Sequence, residues 1–562
     1  MAPPWWRNLG ALIAVAAALA YLALVGPQLT RPLMYDDANF ALAIKAVAET
    51  GLPYGNQGWM SERGDFSQRE QWALWHPPLY IYADALFARL GGWTPPVMRL
   101  LGVLSGLVTA ALTYRLASDL TRGPPGLRSI GGGVAVALTL LCPLTIQSTL
   151  ILDIDFPILL PLTLLFLIGY LRLEVTRLGW LWLAPLFGLL LWAKMTNPLP
   201  LVGILFVWQV LRGRFVTAAL HAVGIGLGGA LIFGVTWLAI GRWLGFPLDM
   251  PFGVNLVQWQ DSAEIARRAY VSPGTFVEAM QPTVLWLGPG LTILGLLAIA
   301  LRGGQLVRAW NIRGADLLIG LVAVFVLGYI NKNAGWFPKY QVAFVPLLAS
   351  LAAPLLAQAW CARPRLTTTV TACAVLTAAL VTGRLVRDDW ALQRTWQIEP
   401  TAGAWLLAIV VAAVLAGLPW QAAAATTLAG LFGLAVGWSL ALDGVQLRAA
   451  YQTDYWYGTT GTVEAAAWVD SHLAPEQTYL AAKEVAIRSR DLRYVDQDNL
   501  VYALSIGRPF DGIWAGEPLR ALVVWQREAY VAELFGRALA GSQFRETARF
   551  GDYVVYEPGP AS

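Results

Sequence analysis

The sequence predicts a polytopic α-helical membrane protein with about 13 transmembrane helices, since apolar runs near the ~20 residues of a crossing helix recur along it. Of its 562 residues, 57% are hydrophobic and only 13% are charged, and the mean hydropathy is +0.55. Soluble domains carry roughly 25% charged residues, so the composition excludes a soluble globular protein. The arginines also collect on connections that would all lie on one side of a membrane.

The apolar runs give the predicted spans. The first has a basic start but is long for a cleaved signal peptide, and more spans follow it, so we interpret it as a retained signal anchor. The runs lie near 9–26, 97–118, 131–150, 156–171, 179–193, 198–211, 216–240, 282–301, 315–330, 340–360, 366–383, 401–418 and 421–441.

The distribution of arginines predicts the orientation. With the N-terminus inside, arginines fall on successive cytoplasmic connections, as the positive-inside rule requires. These are Arg115, Arg122, Arg128, Arg172, Arg177, Arg212, Arg214, Arg302, Arg308, Arg313, Arg363 and Arg365. An odd number of spans then places the C-terminal tail outside. We expect a multi-pass protein of the plasma (inner) membrane.

Residues 27–96 form a long first outer loop in this topology. The run 77–91 is not counted as a crossing, because a crossing there would invert every later connection. We expect it, and the segment 38–49, to be juxtamembrane helices on the outer face. In 38–49 Lys45 is expected away from an apolar stripe formed by Phe40, Ile44 and Val47.

Two domains are expected: a transmembrane domain, 1–443, and an extracytoplasmic C-terminal domain, 444–562. The tail is more polar, and "TVEAAAWVDSHL" and "REAYVAELFGRALAG" predict helices while "RALVVW" and "DYVVYE" predict strands. This pattern indicates a small α/β domain. The three cysteines lie in or beside apolar runs, which favours neither a disulfide framework nor a metal site.

Ionisable side chains gather at the outer ends of the spans. They are Asp36, Asp37, His76, Asp153, Asp155, Lys194, Lys332 and Lys339, with Tyr340. A carboxylate there suits a general base, and cations suit a departing phosphate whose charge grows in the transition state. Composition alone does not distinguish this chemistry from transport.

The order of the motifs resembles the GT-C membrane glycosyltransferases, in particular the branch of the protein O-mannosyltransferases and the lipid A aminoarabinose transferase. That branch has an Asp-Glu pair before a juxtamembrane helix, and "YDDANFA" carries Asp36 there, with Asp37 in place of Glu. Its "HPPL" motif is intact at His76. Its acidic turn matches "LDIDFP" at Asp155, with Asp153 as an additional carboxylate.

Two later motifs extend the resemblance over most of residues 1–360. A lysine ending an outward span matches "LLLWAK" at Lys194, and a basic-Tyr segment opening another span matches "FPKYQVAFVP" at Lys339 and Tyr340. One departure stands out: the aminoarabinose branch has Arg and Lys where this chain has Asn39 and His76. This puts the aminoarabinose substrate in doubt.

The resemblance implies a GT-C fold and an inverting transfer of a sugar from a polyprenyl-phosphate donor to a protein, lipid or cell-envelope glycan. Asp36 would be the catalytic carboxylate. His76, Lys194 and Lys339 would contact the lipid phosphate. Tyr340, Asp37 and Asp155 would complete the substrate site. A divalent metal is left open, with Asp37, Asp153 and Asp155 as its ligands if one binds. We expect no nucleic-acid partner.

Simpler interpretations remain open for each residue. Asp36 is also a good helix N-cap. Helix neighbours point about 100° apart, so Asp36 and Asp37 cannot both face one atom. Asp37 would therefore cap the helix, pair with a cation or hold a metal. His76 would anchor a turn, and the other charged groups would be ordinary span ends meeting water. For the whole chain, the alternatives are a lipid-linked sugar flippase or transporter and a non-catalytic membrane subunit. Charge-poor span interiors argue against transport.

Overall fold

The computed structural model describes most of the chain. The residues it leaves undescribed are 1–5, 32, 34–35, 56–71, 177, 254–279, 281–282, 285, 330–338, 363, 386–419, 450–460, 475–476, 490–493, 498–500, 502–503, 505–518, 527–528, 541 and 560–562. The predicted span 401–418, much of the outer loop 241–281, Arg177, Lys332 and Arg363 lie among these.

The described residues are mostly helical, with one sheet near the C-terminus. The helices are α1 (Trp6–Val25), α2 (Asp36–Thr50), α3 (Leu79–Gly91), α4 (Pro95–Met98), α5 (Leu100–Leu120), α6 (Pro125–Leu140), α7 (Pro143–Leu150), α8 (Leu160–Leu173), α9 (Leu183–Ala193), α10 (Leu199–Leu211), α11 (Phe215–His221), α12 (Gly228–Leu244), α13 (Pro289–Arg308), α14 (Gly314–Tyr329), α15 (Phe344–Ala362), α16 (Pro364–Leu385), α17 (Trp420–Ala449), α18 (Thr462–His472), α19 (Lys483–Ala486) and α20 (Ala529–Leu539). The strands are β1 (Tyr479–Ala481), β2 (Tyr494–Asp496), β3 (Leu522–Trp525), β4 (Phe544–Phe550) and β5 (Tyr553–Pro558).

The helical membrane class is confirmed. Within the described residues, 7 helices are long and apolar enough to cross a membrane, and the bent pair α6–α7 raises this to 8. Four shorter apolar helices also match predicted spans: Gly179–Ala193, Leu199–Leu211, Gly314–Val326 and Arg365–Leu380. The total of about 13 crossings stays a prediction.

The break between α6 and α7 shapes one end of the bundle. The two helices meet at 58°, where Cys142 is extended before Pro143. A residue before proline is disfavoured in the helical region, so the chain bends there. After α7 the backbone is non-helical up to a π-helical turn at Asp155–Leu159, which leads into α8. This non-helical stretch is buried in protein, as backbone near the membrane must be.

Helices α2 and α3 are present where the first outer loop predicts them, but the expected environment of α2 is wrong in one respect. Its apolar stripe is buried, and Lys45, expected on the other face, is only 4% exposed. The Lys45 Nζ donates to the Ser489 carbonyl at 3.0 Å, in the C-terminal segment. The C-terminal domain covers this face of α2, so the ammonium binds a carbonyl where an interfacial helix would have water.

The predicted α/β character of the tail is confirmed. Its five strands have the order β2-β1-β3-β5-β4; β1 is parallel to β2 and to β3, while β5 is antiparallel to β3 and to β4. Helices α18 and α20 and strands β3 and β5 match the predicted segments. Helix α17 runs past the predicted domain boundary at 444, to Ala449.

Candidate active site

Five of the candidate residues named from the sequence meet at the end of the bundle where α7 stops. The lysine–carboxylate cluster, as we call Asp153, Asp155, Lys194, Lys339 and Tyr340, is drawn from three places in the chain. The acids follow α7, Lys194 follows the last residue of α9, and Lys339 and Tyr340 form a short turn just before α15.

Asp155 and Lys194 form the more buried ion pair of the cluster. The Lys194 Nζ donates to both carboxylate oxygens of Asp155, at 2.8 Å each. The Asn197 side-chain amide adds a longer bond to Asp155 at 3.4 Å. The side chains of Asp155 and Lys194 are only 6% and 3% exposed, so this pair is shielded from water.

Asp153 and Lys339 form the more accessible pair. Their side chains are 12% and 18% exposed, and the Lys339 Nζ lies 2.7 Å from the Asp153 Oδ2. The other oxygen of Asp153 accepts the Ile154 N–H at 2.6 Å. The Tyr340 ring links the two pairs, because its centre lies 4.6 Å from the Lys194 Nζ and 5.2 Å from the Lys339 Nζ.

Neighbouring charges favour the charged forms of Asp153 and Lys194. Burial alone would raise the pKa of Asp153, but the charges of Lys339 and Lys194 outweigh it and hold that pKa below its ordinary value. Burial alone would lower the pKa of Lys194, but the negative charge of Asp155, with that of Asp153, raises it. The cluster brings the side-chain nitrogens of Lys194 and Lys339 to one site, which suits an oxyanion that competes with the aspartates for them.

Asp37 lies beside the cluster but pairs with a different cation. Its Oδ2 accepts the Arg99 guanidinium at 2.9 Å, and its Oδ1 accepts the Leu152 N–H at 2.8 Å. Leu152 directly precedes Asp153, so Asp37 fixes the start of α2 against the chain that carries the acidic turn. Among the alternatives left open for Asp37, pairing with a cation is observed.

Arg99 is a functional candidate that sequence reasoning missed. Its guanidinium is fully buried and also donates to the Leu150 carbonyl at 2.6 Å, the Leu29 carbonyl at 2.8 Å and the Arg31 carbonyl at 2.5 Å. It thereby ties the end of α1, the start of α2 and the end of α7 together. Its one sequence signal was an outward arginine before a span, against the positive-inside bias.

Asp36, the predicted catalytic carboxylate, is the first residue of α2. Its side chain lies outside the part of the chain that the structure describes. The next residue, Asp37, points toward Leu152.

His76 lies in the turn before α3, half-buried, and aromatic contacts bring this turn against α2. The Phe40 ring lies 5.4 Å from the Trp75 ring and 5.2 Å from the Tyr80 ring. These contacts place the His76 turn beside the N-terminal part of α2.

Tyr80 and Asp84 add a second missed feature, on α3. The Tyr80 hydroxyl donates to the Asp84 Oδ2 at 3.3 Å, and both side chains are buried. Burial raises the pKa of Asp84 well above its ordinary value. The pKa of Tyr80 is raised by burial and by nearby carboxylates, those of Asp84, Asp37 and Asp153. The ring therefore lies within electrostatic reach of the acidic turn.

The predicted metal ligands do not fit a divalent ion. In the described part of the chain, no three His, Cys, Asp or Glu side chains are grouped to hold a metal. The three carboxylates that were left open for this role each face a cation of the protein: Asp37 faces Arg99, Asp153 faces Lys339 and Asp155 faces Lys194. A metal would have to displace these cations.

Comparison with known proteins agrees with the fold. Residues 75–239 match the sequence profile of the dolichyl-phosphate-mannose-protein mannosyltransferase family. Among curated proteins none matches the chain by sequence. Two crystal structures of ArnT from Cupriavidus metallidurans are similar. The form bound to undecaprenyl phosphate has 17% identity and a TM-score of 0.60, with 100% of each chain covered. The apo form has 16% identity and a TM-score of 0.55, with 98% of this chain and 99% of that chain covered.

The profile covers the turn of His76, the acidic turn and Lys194, and the structural match extends over the whole chain. The resemblance predicted from the sequence motifs is thereby confirmed at the level of the fold. The chain is a multi-pass membrane protein with the fold of the GT-C glycosyltransferases.

Proposed function

We propose that this protein is an inverting glycosyltransferase that takes a sugar from a polyprenyl-phosphate donor. The transfer occurs on the outer face of the plasma membrane, at the lysine–carboxylate cluster. The acceptor is a protein, a lipid or a cell-envelope glycan exposed on that face.

The lysine–carboxylate cluster is the observation that carries this proposal. Lys339 is the more exposed ammonium, at 18% against 3% for Lys194, so it is the group that meets the donor phosphate. The Lys194 ammonium donates to both oxygens of Asp155 and stabilises the more buried part of the cluster. As the sugar leaves, negative charge grows on the phosphate, and the fixed ammonium groups stabilise it.

The start of α2 supplies the general base of the proposed reaction. Asp37 and Arg99 hold this helix against the acidic turn, and Asp36 is its first residue. We propose that Asp36 takes the proton from the acceptor hydroxyl as that hydroxyl attacks the anomeric carbon. One direct displacement then inverts the anomeric configuration.

The similar proteins support the donor class. The ArnT structure has undecaprenyl phosphate bound, and the matching family is described by dolichyl-phosphate-mannose. Both lipids are polyprenyl phosphates. His76 and Asn39 replace the Lys and Arg of the aminoarabinose branch, which favours a different sugar here.

We propose that the C-terminal domain, 444–562, covers the outer side of the catalytic domain, 1–443. The contact between Lys45 and Ser489 supports this, since Lys45 is on the helix whose first residue is Asp36. The tail would then limit which acceptors reach the site.

A transfer assay on the purified protein tests the proposal. Wild-type protein is given polyprenyl-phosphate sugars extracted from its host, and released polyprenyl phosphate is measured with the glycosylated product. Asp36→Asn should keep donor binding and lose at least ~100-fold in transfer, the lower end of general-base effects. Glu49→Gln, an exposed acid on the same helix, is the matched control and should keep full activity. Full transfer by Asp36→Asn would remove the base assignment, and donor translocation without sugar transfer would favour the flippase.

A further inference from the structure

A second group of charges lies at the opposite end of the bundle from the candidate active site. Asp119 is near the end of α5, and Arg172 is near the end of α8. Asp155 opens the continuous span Asp155–Leu173, whose 19 residues rise about 28 Å at 1.5 Å per residue. This nearly equals the ~30 Å hydrocarbon thickness, so the two groups face opposite membrane surfaces.

Three arginines converge on the single carboxylate of Asp119. The Arg115 Nε lies 3.1 Å away, the Arg128 Nη2 3.2 Å and the Arg172 Nη2 3.0 Å. One negative charge among three positive ones leaves a local excess of two. The arginine side chains are 54%, 44% and 46% exposed, and each guanidinium has five N–H donors, so donors remain that Asp119 does not use.

A cleft of about 420 Å³ opens beside this carboxylate, and its lining is divided between charge and hydrocarbon. Arg115, Asp119 and Arg172 form the polar side. The other side is apolar and consists of Leu116, Leu120, Ile168, Leu171 and Gly314. The volume lies within the range of small-ligand pockets.

The positive field continues past the cleft. Arg313 directly precedes Gly314 in the cleft wall, and burial together with the charges of Arg122 and Arg302 lowers its pKa against the opposing charge of Asp316. In the described part of the chain, cationic groups therefore outnumber anionic ones around the opening. The net charge and the hydrocarbon wall together fit an anionic amphiphile.

We propose that this cleft binds an acidic phospholipid of the inner leaflet. Its phosphodiester lies against Arg115 and Arg172, and its glycerol and first acyl carbons lie along Leu116 and Leu171. Each arginine near an anionic lipid surface contributes roughly a five-fold gain in binding. This site is separate from the donor site of the proposed function, and its failure would leave that proposal untouched.

Native mass spectrometry of the full-length protein with defined lipids tests the proposal. Phosphatidylglycerol should stay bound where phosphatidylcholine with the same acyl chains is lost. The double variant Arg115→Gln/Arg172→Gln should bind phosphatidylglycerol about 25-fold more weakly, because two five-fold contributions are removed. The matched control, Arg308→Gln/Arg365→Gln, removes two exposed arginines of the same side that do not line the cleft, and should bind within two-fold of wild type.

A second variant separates the cleft from general charge. Leu120→Trp fills the apolar side and keeps every arginine, so it should also release the lipid. Retention of phosphatidylglycerol by both test variants would overturn the proposal. Equal retention of phosphatidylcholine would do the same, and so would equal competition by free glycerol phosphate, since it would show a phosphate site without a lipid.

Discussion

Lys194 and Lys339 flank the same tyrosine ring but differ in exposure, and this separates their expected roles. Lys194 is 3% exposed and bonded to both oxygens of Asp155, so its loss leaves a buried carboxylate unpaired. Breaking such a pair costs about 3–5 kcal/mol of the free energy of unfolding. Lys194→Met should therefore lower that free energy by this amount, measured by denaturant unfolding in detergent micelles.

Lys339→Met should weaken donor binding more than it lowers the free energy of unfolding. The Lys339 side chain is 18% exposed against 3% for Lys194, so the loss of its ion pair with Asp153 should lower the free energy of unfolding less than the loss of the Lys194–Asp155 pair. Donor binding should weaken at least ten-fold, since a hydrogen bond to a charged group contributes about 1.5–3 kcal/mol. Isothermal titration calorimetry with undecaprenyl phosphate measures this change in affinity. Unchanged donor affinity together with severe destabilisation would reverse the two assignments.

Asp84 predicts a pH dependence of stability. Burial raises its pKa in the folded protein above the roughly 3.9 of an unfolded chain. The folded state therefore holds the proton more tightly, and the resulting stability, complete below about pH 4, is lost as pH rises toward the folded pKa. Asp84→Asn cannot ionise, so it should unfold at a higher temperature than wild type at pH 8 and at the same temperature at pH 4. A constant difference across this range would contradict the assignment.

At the scale of elements, a long-range ion pair contributes to the placement of α2. Asp37 and Arg99 are 62 positions apart and both are buried. Arg99→Met should be strongly destabilising, because it strands the Asp37 carboxylate. Asp37→Asn/Arg99→Met should be less harmful than the sum of its single changes, with a coupling of about 1–3 kcal/mol. Denaturant unfolding of the four proteins measures this, and additive losses would show that the pair does not act as a unit.

The elements themselves were predictable to differing degrees. The described spans match the apolar runs closely, because hydropathy over about 20 residues is a strong signal. Strands β1 and β2 have only three residues each and lie in parallel pairs, so no alternation of polar and apolar residues marked them. The Arg99 contacts and the burial of Lys45 depend on partners far along the chain, which local patterns do not contain.

The sequence indicated which residues gather at the candidate site, but it did not indicate which aspartate pairs with which lysine. Order along the chain and the outward ends of spans brought Asp153, Asp155, Lys194 and Lys339 to one surface. Which acid faces which lysine follows from the turn geometry after α7, where the two carboxylates are separated by one residue. The sequence also did not show that Asp37 pairs with Arg99.

For the whole molecule, the orientation is the property that every outer-face assignment requires. Ser471 on α18 and Arg308 on α13 are exposed and belong to opposite predicted sides. In a cysteine-free background, Ser471→Cys should react with a membrane-impermeant maleimide in intact cells, whereas Arg308→Cys should react only after lysis. The reverse pattern would place the tail in the cytoplasm and contradict the predicted topology.

The most direct measurement is a structure of the full-length protein with undecaprenyl phosphate bound. We predict that the phosphate lies within about 3 Å of the Lys339 ammonium, a normal charge-assisted hydrogen-bond distance, beside Tyr340 and in one cavity with the Asp36 carboxylate. A phosphate bound elsewhere, with the aspartate–lysine pairs intact and Asp36 turned away from it, would contradict the account.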